Sequence, residues 1–152
     1  MNTIKEVFIE GTAKTPHIDF NPLSGEMILS GRSIPENAAK IYEPLVSWIS
    51  DYIRSPRPTT NLRLSLEYFN TASMLWISRL IRLLGKIDKD ESVVFIHLYI
   101  EREEYENMDS EDLKDLLMSL IDNVSSSSVS IGFKIYGTEI SGEVTKESLI
   151  FI

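Results

Sequence analysis

Apolar and polar residues alternate along residues 62–69, which is typical of a β-strand. The apolar members of this pattern are Leu62, Leu64, Leu66 and Tyr68. From Met74 to Ile87 the apolar spacing becomes helical, so Asn70 and Thr71 lie where a strand gives way to a helix. A hydroxyl group at this junction is expected to lie at the positive end of a helix, close to the surface.

The first half of the chain predicts short strands and then a helix. His17–Phe20 and Glu26–Ser30 flank a turn that ends at Gly25, a residue that readily adopts the positive φ of tight turns. Ser33 and Glu36 have the spacing of a capping box, which predicts a helix that begins near Ser33. Its apolar face is expected to comprise Ala38, Ile41, Leu45, Trp48 or Ile49, and Tyr52.

The second half predicts a buried strand, a helix and further strands. Val93–Ile100 is apolar on both faces, as in a central strand covered on both sides. The acidic run Glu101–Asp112 leads to a third helix, and the serine run Ser125–Ser128 leads to strands at Val129–Tyr136 and Leu149–Ile152. This order indicates an α/β fold: a mixed β-sheet of about five to seven strands with about three to four α-helices packed on it.

Composition narrows the class of protein. The chain has 152 residues, of which 43% are hydrophobic and 25% are charged, as in an ordinary globular domain. The net charge of −8 argues against a nucleic-acid partner, and the absence of cysteine excludes disulfides and fits a reducing cytoplasm. No signal peptide and no apolar run of membrane-spanning length is recognised, so we expect a cytoplasmic protein without direct membrane insertion.

Thr71 is the residue that most invites a functional interpretation, and two interpretations are open. Thr is a common helix N-cap, and a purely capping role is the plainer one. Alternatively, Thr71 is a phosphoacceptor. A phosphate at an exposed helix N-terminus gains only about 0.3–1 kcal/mol from the helix dipole, whereas burying it against a partner without matching arginines costs several kcal/mol. Phosphorylation would therefore change binding rather than the fold.

Catalytic and metal chemistry find little support in the sequence. His97 lies within the apolar strand and is expected to be a hydrogen-bonded core residue, while His17 has no Cys or His nearby in the sequence for metal binding. The acidic run Glu101–Asp112 lacks the ligand spacing of a calcium loop and is interpreted as solvated charge at a helix N-terminus. No Gly-rich phosphate loop or dinucleotide fingerprint is present. We therefore expect no catalytic residue, no metal and no cofactor.

Several motifs resemble the SiaC-type regulatory phosphoproteins of bacteria, a family with a STAS-like fold. The specific ones are the Arg-Ser-Ile-Pro-Glu-Asn segment at 32–37 and the Tyr-Phe-Asn-Thr segment at 68–71. Supporting matches are Gly11-Thr12 with Thr15-Pro16, Tyr42-Glu-Pro-Leu45, Trp48 and Glu111-Asp112-Leu113. The chain has Ala72 where the family often has Ser, which leaves Thr71 as the matching acceptor.

The resemblance implies a non-catalytic partner switch. It implies phosphorylation of Thr71 by a Ser/Thr kinase of histidine-kinase-like fold and dephosphorylation by a PP2C-type phosphatase, with Ser73 as a secondary acceptor. The unphosphorylated form would bind and activate an effector such as a diguanylate cyclase, which raises cyclic-di-GMP and promotes biofilm. The second helix and its entrance would form the contact face. Candidate partner contacts are Arg32, Ser33, Glu36, Asn37, Tyr68, Asn70, Ala72 and Ser73.

The chain is expected to form a single domain, and two other functions are considered. Residues 1–152 are expected to form one SiaC-like domain, in which residues 125–152 extend beyond the usual family pattern. The alternative function is a constitutive protein-binding scaffold, similar to an anti-sigma-factor antagonist, in which Thr71 only caps its helix. A small hydrolase ranks last, because no residue is nominated as its catalytic group.

Overall fold

A mixed β-sheet with helices packed on it forms the part of the chain that the computed structural model describes, which is residues 4–120, 129–139 and 144–151. Seven strands are found in these ranges: β1 (Val7–Ile9), β2 (His17–Asn21), β3 (Glu26–Ser33), β4 (Thr59–Phe69), β5 (Val93–Glu101), β6 (Ser130–Thr138) and β7 (Val144–Phe151). The four helices in the same ranges are α1 (Ala38–Tyr52), α2 (Thr71–Leu84), α3 (Arg102–Glu106) and α4 (Ser110–Leu120). The predicted α/β class is confirmed. The serine run at 125–128 lies outside the described residues.

The strands lie side by side in chain order from β1 to β7. Neighbours are antiparallel from β1 to β3, parallel from β3 to β6, and antiparallel between β6 and β7. Parallel neighbours need a crossover, which α1 supplies between β3 and β4, and α2 supplies between β4 and β5. The carboxyl ends of β3 and β4 therefore meet at one edge, where Ser33 pairs with Phe69 just before α2 begins.

One hydrophobic core lies between the sheet and the helices. Alternate residues of the central strands are buried, as the period-2 pattern requires, and α1 packs against α2 above them. The core residues of β4 and β5 are Leu62, Leu64, Val94, Ile96 and Leu98. The predicted central position of β5 is thus confirmed, since it lies between β4 and β6. The predicted cover on both faces is incomplete, because Val93, Phe95 and Tyr99 on the second face are only partly buried.

The start of α1 differs from the sequence-based prediction. The predicted capping box at Ser33 is wrong, because Ser33 ends β3 and the helix begins at Ala38. Its N-cap is Asn37, whose Oδ1 accepts a hydrogen bond from Lys40 N at 3.4 Å. The physical reason is that Pro35 disfavours helical geometry in the residue before it, and that Ser33 is held by its pairing with β4.

Smaller differences concern the apolar face of α1 and the second half of the chain. Tyr42 is fully buried in α1, whereas Ile41, predicted for the core face, is only partly buried. The acidic run contains the short helix α3, and β7 begins at Val144, five residues earlier than predicted.

Candidate functional site

Thr71 is the first residue of α2 and is exposed. The helix is capped by Asn70, which has an extended backbone and whose Oδ1 accepts a hydrogen bond from Ser73 N at 2.9 Å. The Thr71 hydroxyl makes no hydrogen bond to any residue within the described ranges. A purely capping role for Thr71 is therefore wrong, because its neighbour already performs it.

A chain of buried hydroxyl groups lies beneath this helix start. Ser33 Oγ donates to Ser73 Oγ at 2.8 Å, and Ser73 Oγ donates to the carbonyl oxygen of Ser33 at 2.9 Å. Tyr42 OH lies 2.6 Å from Ser33 Oγ and must donate to it, because the Ser33 proton is already committed to Ser73. Burial raises the pKa of Tyr42, which keeps this phenol protonated as a donor.

This hydroxyl cluster ties β3 to α2. The carbonyl oxygen of Ser33 also accepts a hydrogen bond from Asn70 N at 3.0 Å, and the Asn70 side-chain amide lies 3.4 Å from the carbonyl oxygen of Pro35. Ser33 and Ser73 are both 0% exposed. The predicted contact candidates Ser33 and Ser73 therefore support the surface from below, and present no side-chain area to a partner.

Arg32 and Tyr68 form an exposed pair beside the helix start. The Arg32 guanidinium lies 5.3 Å from the centre of the Tyr68 ring, and Arg32 Nε lies 3.5 Å from Glu67 Oε2. Tyr68 is 61% exposed despite its aromatic ring. The strand register shifts between Gly31 and Arg32, and Gly31 has a φ of +90°, so a glycine is needed where the bulge redirects Arg32.

The remaining predicted contact residues surround the same corner. Glu36 is exposed and lies 3.7 Å from Lys14 Nζ, and Asn37 is exposed while it caps α1. The carbonyl oxygen of Lys14 accepts a hydrogen bond from Ile34 N at 2.9 Å, which holds the loop before β2 against the corner. Ala72 is exposed next to Thr71.

The exposed side of α2 continues away from Thr71 along the helix predicted as the contact face, but its exposed residues beyond Ala72 were not named among the predicted contacts. We call it the α2 face; it comprises Thr71, Ala72, Leu75, Arg79 and Arg82, all exposed, with Trp76 half-buried at its border. The Arg79 guanidinium lies 4.6 Å from the Trp76 ring centre, and Trp76 stacks on Tyr42 with ring centres 6.4 Å apart. The signal in the sequence was the helical spacing of Leu75, Arg79 and Arg82, which lie four, eight and eleven residues after Thr71.

A cleft of about 720 Å³ adjoins the site at the carboxyl ends of β4 and β5. Its walls include apolar residues such as Ile77 and Leu98, and its carboxylates include Glu67 and Glu104. Both glutamates are exposed, which gives the opening a negative charge. Tyr68 lines this cleft and so connects it with the exposed corner.

His97 is buried and hydrogen-bonded, as the sequence predicts, but it lies on the face of the sheet opposite the hydrophobic core. Its Nδ1 lies 2.8 Å from Tyr136 OH and its Nε2 lies 2.7 Å from Asn61 Oδ1. Burial, together with the positive charges of Arg63 and Lys134, lowers the pKa of His97 to about 4. The imidazole is therefore neutral at physiological pH, with both ring nitrogens engaged in hydrogen bonds.

Two further observations concern the described residues alone. In residues 4–120, 129–139 and 144–151, no group of three or more His, Asp or Glu side chains has the arrangement of a metal site. Within those same ranges, none of the helices combines the length and the apolar character needed to cross a bilayer.

Comparison with known proteins connects this geometry with a family. The profile described as "SiaC family regulatory phosphoprotein" matches residues 9–126. An uncharacterised protein of Pseudomonas aeruginosa strain UCBPP-PA14 is 24% identical over 99 residues, which is 65% of this chain and 79% of that protein.

Solved structures agree in fold. The crystal structure of apo-SiaC from Pseudomonas aeruginosa is similar with a TM-score of 0.62 and 23% identity, over 73% of this chain and 92% of that one. A chain from the crystal structure of the diguanylate cyclase SiaD in complex with its activator SiaC, from the same species, is similar with a TM-score of 0.65 and 21% identity. That match covers 86% of this chain and 99% of the other.

Proposed function

The chain belongs to the SiaC family of regulatory phosphoproteins, and we propose that it is a partner switch controlled by reversible phosphorylation of Thr71. The observation that carries this proposal is the exposed Thr71 hydroxyl at the first position of α2, next to an Asn70 side chain that already caps the helix. The Thr71 oxygen is thus accessible, and within the described residues it makes no hydrogen bond that holds the structure together.

Ser73, the secondary acceptor, is a poorer candidate on the same grounds. Its hydroxyl is fully buried and takes part in two hydrogen bonds with Ser33. A kinase would have to open the corner between β3 and α2 to reach it, which costs the hydrogen bonds as well as the burial. Thr71 needs no such opening.

The energetics favour an effect on binding over an effect on folding. A phosphate at the exposed N-terminus of α2 would gain about 0.3–1 kcal/mol from the helix dipole, so the fold should persist. Burying the same near-dianion under a partner that does not neutralise it costs several kcal/mol, and each 1.4 kcal/mol is about tenfold in affinity. Phosphorylation at Thr71 is therefore suited to release a partner.

The partners that we propose follow from the family. SiaC of Pseudomonas aeruginosa is described as the activator of the diguanylate cyclase SiaD, and we propose that the unphosphorylated form of this chain binds and activates such a cyclase, with cyclic-di-GMP and biofilm as the output. A Ser/Thr kinase of histidine-kinase-like fold would add the phosphate, and a PP2C-type phosphatase would remove it. The chain itself would carry no catalytic residue and no cofactor, and would act in the cytoplasm.

We also propose that residues 1–152 form one domain, with residues 125–152 as an extension of the family pattern. The family match ends at residue 126, and β6 and β7 add to the same sheet as β1–β5. We therefore propose that the extension completes the sheet by adding β6 and β7 to it.

Two measurements test the switch. The purified chain is incubated with ATP and a histidine-kinase-like Ser/Thr kinase of its own organism, and the product is mapped by mass spectrometry; we expect one phosphate on Thr71, none in Thr71→Ala, and one in Thr71→Ser. Each diguanylate cyclase of that organism is then titrated by calorimetry with the phosphorylated and the unmodified chain. Equal affinities of the two forms for a cyclase that binds would contradict the switch, and protein from native cells that never carries phosphate would favour the constitutive scaffold.

A further inference from the structure

The α2 face has a charge opposite to that of the whole chain. The chain has a net charge of −8, whereas α2 contains no Asp or Glu, and its exposed charged residues are Arg79 and Arg82. At about 100° per residue, Thr71, Leu75 and Arg82 fall within about 40° of one another around the helix axis. The acceptor, an exposed apolar side chain and a basic group therefore lie in one row.

The side chains of this surface are of the types that dominate protein interfaces. Leu75 is 60% exposed, an arginine–aromatic pair, Arg79 with Trp76, lies on the same helix, and a second pair, Arg32 with Tyr68, lies beside the helix start. Trp, Tyr and Arg are enriched among residues whose truncation weakens binding most. Trp76 is backed by the buried Tyr42 ring, so this part of the surface is held in place before a partner arrives.

We propose that the α2 face docks an acidic amphipathic helix of a protein partner. Its apolar side chains would contact Leu75 and Trp76, and its carboxylates would pair with Arg79 and Arg82. The proposal rests on the partner-switch function and adds the chemistry of the partner. Charge complementarity carries it, because a basic patch on an acidic protein attracts an acidic surface while the rest of the molecule repels it.

The same charges give the direction of the switch. Thr71 lies one turn from Leu75, about 6 Å along the helix axis, which is within the Debye length of about 8 Å at physiological salt. A phosphate there repels the carboxylates of the docked helix, and Arg82, about 16 Å along the axis from Thr71, is too far away to neutralise it. A basic partner helix would instead bind the phosphorylated form more tightly.

An anionic membrane or a nucleic acid fits the α2 face less well than an acidic helix does. A membrane-bound helix needs a broad apolar face and several basic residues, and α2 directs most of its apolar residues into the core. Among the large apolar residues of α2, Leu75 is the one that is mainly exposed. The net charge of −8 also opposes approach to an anionic bilayer or a nucleic acid.

The test uses two synthetic helical peptides of equal length with the same leucine stripe, one with Glu and one with Lys at the flanking positions. Fluorescence anisotropy measures each against the full chain at low and physiological salt. We expect the Glu peptide to bind more tightly, and Arg82→Glu to weaken it by about five- to tenfold. Lys114→Glu, the same charge change at an exposed position of α4, is the matched control and should leave its affinity unchanged. Circular dichroism checks that both variants fold.

The outcomes separate this proposal from the proposed function. No binding of the Glu peptide, equal or tighter binding of the Lys peptide, an equal effect of Lys114→Glu, or comparable binding of phosphatidylglycerol vesicles would each overturn the docking chemistry. If phosphorylation releases a cyclase but Arg82→Glu leaves its affinity intact, the switch stands and this proposal is wrong. If the Glu peptide binds as expected but phosphorylation leaves cyclase affinity unchanged, the docking chemistry stands and the switch is wrong.

Discussion

Ser33 Oγ donates a buried hydrogen bond of 2.8 Å to Ser73 Oγ, although the two residues are 40 positions apart in the sequence. Because Ser73 in turn donates to the carbonyl oxygen of Ser33, the end of β3 and the first turn of α2 are joined at two points. Thr71 is the first residue of this turn, so its exposed position depends on a buried contact. A change of charge at Thr71 is therefore expected to leave this geometry intact.

The buried pair predicts a stability cost for Ser73→Ala. The substitution removes the acceptor of the Ser33 hydroxyl and the donor to the Ser33 carbonyl, and should lower the free energy of unfolding by about 1–3 kcal/mol. Urea denaturation measures it, with Ser47→Ala at an exposed position of α1 as the control, for which the change should stay within about 0.5 kcal/mol. A Ser73→Ala variant as stable as the control would show that the cluster contributes little.

A second prediction separates the cap from the acceptor. Asn70→Ala should lower the free energy of unfolding by about 0.5–2 kcal/mol, because Ser73 N loses its hydrogen-bond acceptor. Thr71→Ala should change it by less than about 0.5 kcal/mol, since the Thr71 side chain is exposed. Thermal and urea unfolding of both variants give the comparison, and a larger loss for Thr71→Ala would restore a structural role for Thr71.

These contrasts show what a local pattern predicts and what it does not. The alternation in β4 and the change of period near Thr71 depend on neighbouring residues, so the strand, the helix start and the exposed hydroxyl were predicted correctly. The capping box at Ser33 is also a local pattern, but pairing with Phe69 and the hydrogen bond to Ser73 override it. A contact between residues 40 positions apart, such as Ser33 and Ser73, produces no periodic pattern in a single sequence.

The α2 face illustrates an intermediate case. The spacing of Thr71, Leu75 and Arg79 was present in the sequence, but nearly all positions of this helix are apolar or small, so the periodicity alone did not show which side enters the core. Packing against α1 and α4 decides that side. The contact residues were therefore predicted individually only at the first turn, whereas along the rest of α2 the prediction named the helix but not its exposed side.

A third prediction concerns pH. The pKa of His97 is lowered to about 4, from an ordinary value near 6.5, so between these values the unfolded chain binds a proton that the folded chain does not. This group therefore contributes stability that is fully present above pH 6.5 and is lost as the pH falls towards 4, by up to about 1.4 kcal/mol per pH unit. NMR titration of the ring protons measures the midpoint directly. A midpoint at or above pH 6 would contradict the depressed pKa, and in His97→Gln this part of the pH dependence should disappear.

The last prediction compares two exposed leucines. Leu75, on the α2 face, is 60% exposed, and Leu23, in the turn between β2 and β3, is 81% exposed. Both lose the same side chain on substitution by alanine, and both variants should keep the free energy of unfolding within about 0.5 kcal/mol, because little buried area is lost. Effector affinity should differ: Leu75→Ala removes an apolar anchor whose burial contributes about 1.5–3 kcal/mol, which corresponds to roughly ten- to a hundredfold in affinity, whereas Leu23→Ala should bind like the parent chain. Calorimetry with the cyclase that binds the unphosphorylated chain decides the matter, and an equal loss of affinity in both variants, or none in either, would remove α2 from the interface.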